Sequence, residues 1–181
     1  MDSVIGDGDH GISIAKGLAG AITEIENKNP RNISDLLKTT GNSISSIIGG
    51  VTGPVFGTLF SAMGEKITSE DSEINIDTLF LMFQESLKKI MELGGAKPGD
   101  KTMIDALSPA VESFKDSIVN RLLLKEILYK MMTASKIGAE STAQMIAKKG
   151  RARYSGERSL GYEDAGANTV YFIFKAFYES L

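Results

Sequence analysis

The chain contains no cysteine, and His10 is its only histidine. Without cysteine there is no disulfide, no thiolate nucleophile and no cysteine-ligated zinc or iron–sulfur site. A single histidine also excludes a metal site built from several imidazoles. Any metal ion bound by this chain must therefore be held by oxygen ligands.

The chain also lacks an excess of basic charge and any long apolar run. Its 20 Lys and Arg residues face 23 Asp and Glu residues, for a net charge of −3. No basic cluster is longer than the short run at Lys148, Lys149 and Arg151, so a nucleic-acid partner is not expected. No stretch approaches the roughly 18 apolar residues of a membrane span, and the start does not resemble a signal peptide. We therefore expect a cytoplasmic protein without membrane contact.

What is present is typical of one folded domain: 181 residues, 42% apolar and 24% charged. Apolar residues recur at helical spacing along most of the chain, and no segment alternates like a strand. Pro109 falls inside one helical series and predicts a kink or a two-part helix. We expect an all-α chain of seven helices, near residues 11–27, 33–48, 54–63, 76–91, 104–118, 122–149 and 170–181.

Three carboxylates lie close together at the start of the chain. Asp2, Asp7 and Asp9 fall within eight residues, with Gly6 and Gly8 between them. Like charges this close repel unless a cation compensates them, and hard oxygen ligands suit Mg²⁺ or Ca²⁺. Mg²⁺ commonly takes one or two carboxylates together with phosphate oxygens. These aspartates are therefore candidate metal ligands of a site that phosphate would complete.

The acidic loop has two other interpretations. Asp-Gly-Asp is also ordinary turn chemistry, with Asp9 or His10 capping the next helix. An EF-hand is excluded, because counting from Asp7 places Ile12 at the required glycine and Leu18 at the required glutamate.

Glycine is concentrated in four further connections. Residues 49–54 join two helices and offer free N–H groups and the Thr52 hydroxyl to an anion, although a plain helix corner explains them equally well. Residues 94–102 miss the phosphate-binding loop of nucleoside triphosphatases by one residue. Arg151, Arg153 and Arg158 could neutralise phosphate or form a solvated basic loop. Residues 164–166 could cap the last helix.

Together these loops resemble one family, the nucleotide-binding L subunit of bacterial dihydroxyacetone kinase, which is also the C-terminal domain of ATP-dependent dihydroxyacetone kinases. Four separate loops agree in the family's order along nearly the whole chain. The matching segments are residues 5–11, 49–57, 97–107, 149–152, 156–161 and 164–167.

The resemblance implies an antiparallel helical barrel of about eight helices that binds ADP tightly through two Mg²⁺ ions. It implies metal ligation by Asp2, Asp7 and Asp9, and it implies no protein nucleophile. The implied nucleotide contacts are His10, Gly11, Ile12, Ser13, Val51, Thr52, Gly94, Met103, Arg151, Asp164, Ala165 and Gly166.

Three departures from the family pattern are visible. Ser13 stands where the family usually has Asn, and Ala165 where it commonly has Pro. Family members also carry about one more helix before the first aspartate. We therefore expect a single domain over residues 1–181 whose natural N-terminus is missing.

In this family, stand-alone L subunits work with a K subunit that holds dihydroxyacetone and a phosphocarrier M subunit of the phosphotransferase system. The leading hypothesis is therefore a phosphotransferase subunit, with homodimerisation left open. The alternatives are the nucleotide domain of an ATP-dependent kinase and a non-catalytic regulatory module. A fatty acid kinase domain is disfavoured, because its acidic motif typically has Thr where this chain has His10.

Overall fold

The computed structural model describes residues 6, 8–71 and 73–181. These residues form seven α-helices and two 3₁₀ helices and contain no strand, which confirms the all-α prediction. None of the helices in this described part of the chain combines the length and the apolar character that a membrane-spanning helix needs. The α-helices are α1 (His10–Lys28), α2 (Ile33–Ile47), α3 (Thr52–Glu65), α4 (Ile76–Gly94), α5 (Ile104–Val119), α6 (Leu124–Ser141) and α7 (Ala165–Glu179); the 3₁₀ helices are Thr142–Gln144 and Arg151–Ser159.

The chain divides into two compact units. The first unit contains the described residues up to His10 together with Ala96–Leu181, and the second contains Gly11–Gly95. In the first, α6 packs against both α5 and α7. In the second, α3 packs against both α2 and α4.

Polar caps begin two helices of the second unit, α2 and α4. The Asn32 side chain accepts a hydrogen bond of 2.8 Å from the N–H of Asp35, and Asn75 caps α4 in the same way. At its other end α4 stops at Gly95, whose φ of 57° is the left-handed conformation that glycine adopts without strain. Helices α2 and α3 come close at Gly41 and Gly57, where a side chain on either residue would collide with the facing backbone.

The first unit has an apolar core shared by its three α-helices. Phe114 of α5, Met131 of α6 and Phe174 of α7 are at most 1% exposed. Pro109 lies within α5, which is a single continuous helix from Ile104 to Val119, so the two-part alternative is wrong. Proline near the start of a helix removes only one internal hydrogen bond, the one that the Asp105 carbonyl would accept.

Helix α6 ends earlier than its apolar pattern predicts. The pattern predicts a helix as far as Lys149, but α6 stops at Ser141 and a 3₁₀ turn follows. The Thr142 hydroxyl donates to the Ala139 carbonyl at 2.5 Å, and the Thr142 carbonyl accepts from the ammonium of Lys101. These bonds replace those of a continued helix, so the chain is free to turn into the 3₁₀ segment that carries Arg151.

Candidate functional site

The acidic loop is described only at its end. Asp2 and Asp7 lie outside the described residues, and Asp9 is exposed directly before α1. Within the described residues no three His, Asp or Glu side chains are grouped to hold a metal. Because two of the three predicted ligands fall outside this range, the Mg²⁺ site stays a prediction.

His10 connects the end of the acidic loop to the last helix of the first unit. Its Nε2 lies 2.9 Å from Oγ1 of Thr169, and that hydroxyl donates to the Ala165 carbonyl at 3.1 Å. A hydroxyl has one proton, so His10 Nε2–H is the donor when Thr169 gives its proton to Ala165. These two hydrogen bonds link His10 to the first turn of α7. Asp9, the residue before His10, therefore lies near that turn.

The first turn of α7 is built by Asp164. Its carboxylate accepts a hydrogen bond of 2.8 Å from the Ala167 N–H, which is the cap that the sequence predicted as an alternative. A Cβ on Gly166 would lie 3.0 Å from Asp164 Oδ2 and 3.5 Å from Cβ of Met103. Met103, Asp164 and Gly166 therefore lie close together at the start of α7.

The environment of Asp164 raises the pKa of its carboxyl group. Burial raises the pKa of Asp164 to about 6, and the nearby charge of Asp105 acts in the same direction. The Ala167 N–H and the ammonium of Lys101 act in the opposite direction and only partly offset the burial. Asp164 is therefore mostly ionised at neutral pH and becomes protonated under mildly acidic conditions.

The loop before α5 is held by buried charged groups. Asp105 is 6% exposed and accepts hydrogen bonds from the N–H groups of Gly99 at 2.5 Å and Thr102 at 2.7 Å. Lys101 is 1% exposed, and its ammonium bonds to four backbone carbonyls of the segment 142–162. Burial lowers the pKa of Lys101. This loop and the segment 142–162 are therefore fastened to each other.

Arg151 begins the second 3₁₀ helix and is exposed. It follows Gly150, whose φ of 62° lets the chain turn sharply into this helix. Two residues on, the Arg153 guanidinium donates to the Tyr154 hydroxyl at 2.6 Å and lies over its ring. Arg151 therefore lies at the exposed start of the segment, and Arg153 contacts its neighbour Tyr154.

The remaining predicted contacts lie in the second unit. Those at the start of α1 are in its exposed or half-buried first turn, and the side chain of Val51 forms no cap on α3. Gly50 adopts a φ of 68°, which is typical of the glycine corner that the sequence also allows. The predicted contacts in this unit are Gly11, Ile12, Ser13, Val51, Thr52 and Gly94.

Sequence reasoning missed the residues that fasten these loops. Lys101 and Thr102 belong to residues 94–102, which miss the phosphate-binding loop by one residue, and to the segment 97–107 of the family resemblance. No pattern singled out Thr142 or Thr169. The available signal was that Lys101 and Asp105 lie close to Gly99 in this segment of the family resemblance. The carbonyls that Lys101 binds are 41 to 61 residues away in sequence, so no local pattern reveals them.

Comparison with known proteins places the chain in one family. The model of the DAK2 domain matches residues 4–179. The ADP-binding subunit DhaL of the PEP-dependent dihydroxyacetone kinase of Escherichia coli K12 is 36% identical over 173 residues, which cover 96% of this chain and 82% of that subunit. A subunit of the same description from Listeria innocua is 35% identical over 97% of this chain and 82% of its own length.

A solved structure gives the same result. The dihydroxyacetone kinase of C. freundii in complex with AMP-PNP and Mg²⁺ matches 99% of this chain with a TM-score of 0.73 and 28% identity. This chain corresponds to only 29% of that kinase chain. With this fold, these loops and these relatives, the chain belongs to the DAK2 domain family.

Proposed function

We propose that this protein is the ADP-binding phosphotransferase subunit of a dihydroxyacetone kinase. In this role it receives a phosphoryl group from a phosphocarrier M subunit of the phosphotransferase system and passes it, through Mg²⁺-bound ADP and ATP, to dihydroxyacetone on a separate K subunit. The proposal is supported by relatives of 35–36% identity that carry this description over most of both chains. The structural observation behind it is the His10–Thr169 hydrogen bond, which fastens the end of the acidic loop to α7.

The donor set fits magnesium. The three aspartates are hard anionic ligands, and Asp9 is exposed at the end of the loop where a phosphate oxygen could share the ion. We propose that Asp2, Asp7 and Asp9 together hold two Mg²⁺ ions. Bound there, Mg²⁺ would neutralise charge on the phosphate oxygens during transfer.

The other residues bind and position the nucleotide. His10, fixed by Thr169, holds the end of the acidic loop in place, and the buried Met103 gives the loop before α5 an apolar surface beside Gly166. Arg151 supplies an exposed guanidinium for phosphate oxygens. The further nucleotide contacts that we propose are Gly11, Ile12, Ser13, Val51, Thr52, Gly94, Asp164, Ala165 and Gly166.

The proposed reaction needs no nucleophile from this chain. The acceptor hydroxyl belongs to dihydroxyacetone on the partner subunit, so this chain contributes orientation and charge compensation. We further propose a cytoplasmic location and a single functional domain.

The experiment that tests the proposal is to release and identify the nucleotide carried by the purified protein. Denaturation should yield about one adenine nucleotide per chain, since a tightly bound ADP remains through purification. Finding none, and finding no binding of ADP added with Mg²⁺, would refute the proposal.

A second measurement identifies the phosphate donor. The protein is loaded with ADP and mixed with a K subunit and dihydroxyacetone, and either a phosphorylated phosphocarrier or excess ATP is added. Product only with the phosphocarrier supports the proposed role. Equal turnover with ATP alone would favour the nucleotide domain of an ATP-dependent kinase. Nucleotide binding without transfer from either donor would favour the regulatory alternative.

A further inference from the structure

Lys101 is a charged side chain in the interior of the first unit, only 1% exposed. Its ammonium lies 2.7 Å from the carbonyl oxygen of Thr142 and 3.1 Å from that of Met145. It also lies 2.7 Å from the carbonyl oxygen of Ser159 and 2.5 Å from that of Tyr162. We call these four carbonyls, of Thr142, Met145, Ser159 and Tyr162, the carbonyl cage.

The cage suits a cation. An ammonium has three N–H donors and here faces four acceptors, so at least one N–H is shared between two carbonyls. Four carbonyl dipoles that point at one buried atom repel each other unless a positive charge lies among them. The ammonium of Lys101 therefore acts toward this segment as an internally tethered cation.

The four carbonyls lie at the positions where the segment 142–162 changes direction. Thr142 follows the end of α6, and Ser159 ends the 3₁₀ helix that begins at Arg151. Tyr162 lies two residues before Asp164, the cap of α7. One buried ammonium thus contacts both ends of the stretch that contains Arg151, as well as Tyr162 just before Asp164.

Neighbouring bonds depend on the same arrangement. The Thr142 hydroxyl accepts from the N–H of Asp164 at 2.8 Å. The Ser159 hydroxyl accepts from the N–H of Ala147 at 3.0 Å. Two residues of the cage, Thr142 and Ser159, therefore also bind the N–H groups of Asp164 and Ala147. Removing the Lys101 ammonium would for this reason disrupt several contacts of residues 142–162 together.

We propose that Lys101 is a positioning residue for nucleotide binding, acting as a tethered cation in the carbonyl cage that holds Arg151 and Asp164 in their binding positions. This inference rests on the proposed function, because the two positioned residues are proposed nucleotide contacts. Lys101 itself is buried and is not proposed to touch the nucleotide.

The test is chemical rescue of the Lys101→Ala variant. Relative to alanine, the missing group is n-propylammonium, which can enter the vacated cage and donate to the same carbonyls. Two quantities are measured with and without n-propylammonium: the rate of trypsin cleavage after Arg151, Arg153 and Arg158, and the Kd for ADP in the presence of Mg²⁺. Trypsin reports on the segment without reference to nucleotide, since all three of these arginines lie within residues 142–162.

We expect Lys101→Ala to raise both the cleavage rate and the ADP Kd by about tenfold or more, since several buried acceptors lose their donor. n-Propylammonium should return both values toward those of the wild type. Tetramethylammonium, a cation without N–H donors, should not. Lys148→Ala is the matched control, because Lys148 also bonds to a backbone carbonyl, that of Gly99 at 2.9 Å, but its side chain is 61% exposed. It should change each value less than about threefold.

The outcomes separate this inference from the proposed function. If wild-type protein binds no ADP while cleavage is rescued as expected, the proposed function fails and the role of the carbonyl cage in holding the segment stands. If Lys101→Ala binds ADP like the wild type, or if tetramethylammonium rescues it equally, the positioning role is overturned. Lys101→Met, which keeps the apolar stem, serves if the alanine variant does not fold. If neither variant reaches wild-type helix content with n-propylammonium present, Lys101 is a folding residue and the inference is wrong.

Discussion

The backbone of Gly138 in α6 lies directly against the carbonyl oxygen of Asp105 in α5. A Cβ on Gly138 would lie closer than 3.0 Å to that oxygen, a separation that real Cβ atoms essentially never show, and 3.0 Å from Cα of Ala106. The same carbonyl has no donor from Pro109, which lacks an N–H. The contact occurs where the first turn of α5 carries Asp105, so packing of these helices and placement of the loop before α5 are coupled.

We therefore expect Gly138→Ala to destabilise the protein by about 2–4 kcal/mol, because the collision is with rigid backbone. Urea unfolding followed by circular dichroism measures the change. Gly94→Ala is the matched control, since Gly94 is also helical and a Cβ added there would meet no atom within 4 Å. Equal stability of the two variants would contradict the close approach.

Helix α5 was predictable because it buries a regular apolar face. Phe114 and Leu107 repeat at the spacing that α5 requires, and both are fully buried. The helix cap at Asp164 was also predictable, because an aspartate directly before a helical pattern commonly caps the helix. These features depend on residues within about one helical turn of each other, so local sequence patterns are enough to predict them.

The contacts between loops were not predictable in the same way. Lysine is normally exposed. Lys101 can be buried because its ammonium donates hydrogen bonds to four carbonyls that are distant in sequence. The hydrogen bond between His10 and Thr169 joins residues that are 159 positions apart. No periodic pattern in the sequence indicates a contact of this kind. Such contacts depend on how the chain folds back on itself, so composition and spacing cannot specify them.

Thr169→Val tests whether the bond to His10 supports nucleotide binding. Valine keeps the shape of threonine but has no hydroxyl, so it neither accepts a hydrogen bond from His10 nor donates one to the Ala165 carbonyl. The end of the acidic loop then loses its hydrogen bond to α7. We expect ADP to bind about three- to tenfold more weakly, the equivalent of one hydrogen bond. Isothermal titration calorimetry with Mg²⁺ present gives the Kd.

The matched control for this substitution is Thr133→Val. The Thr133 hydroxyl donates to the Tyr129 carbonyl one turn earlier, at 2.9 Å, just as Thr169 donates to Ala165, so both variants lose the same kind of helix bond. Only Thr169 also contacts His10. The same loss of affinity in both variants would show that the bond to His10 contributes nothing specific.

Asp9→Asn tests the acidic loop as a metal site. Replacing one anionic ligand leaves phosphate charge less compensated, so Mg²⁺ and ADP should both bind at least about tenfold more weakly. The affinity for ADP is measured over a range of Mg²⁺ concentrations, and high Mg²⁺ should restore part of it. Asp116→Asn makes the same chemical change at an exposed position of α5 and should bind as the wild type does. An ADP affinity in Asp9→Asn that equals the wild type at every Mg²⁺ concentration would refute the metal role.

The raised pKa of Asp164 predicts a pH dependence of stability with a definite sign. The folded protein protonates this carboxyl at about pH 6, against an ordinary value of 3.8, so folding favours the protonated form. The stability that Asp164 contributes is therefore full below about pH 4 and is lost as pH rises through about 6. The unfolding free energy of the wild type minus that of Asp164→Asn should fall between about pH 4 and 6 and level off above about pH 7.

Asp71→Asn is the control for this pH dependence, because hydrogen bonds from Thr68 lower the pKa of Asp71 and place its titration below this range. Its difference from the wild type should stay constant above about pH 5. A difference for Asp164→Asn that also stays flat between about pH 4 and 7 would show that the Asp164 carboxyl is ionised throughout and that its burial does not control its charge.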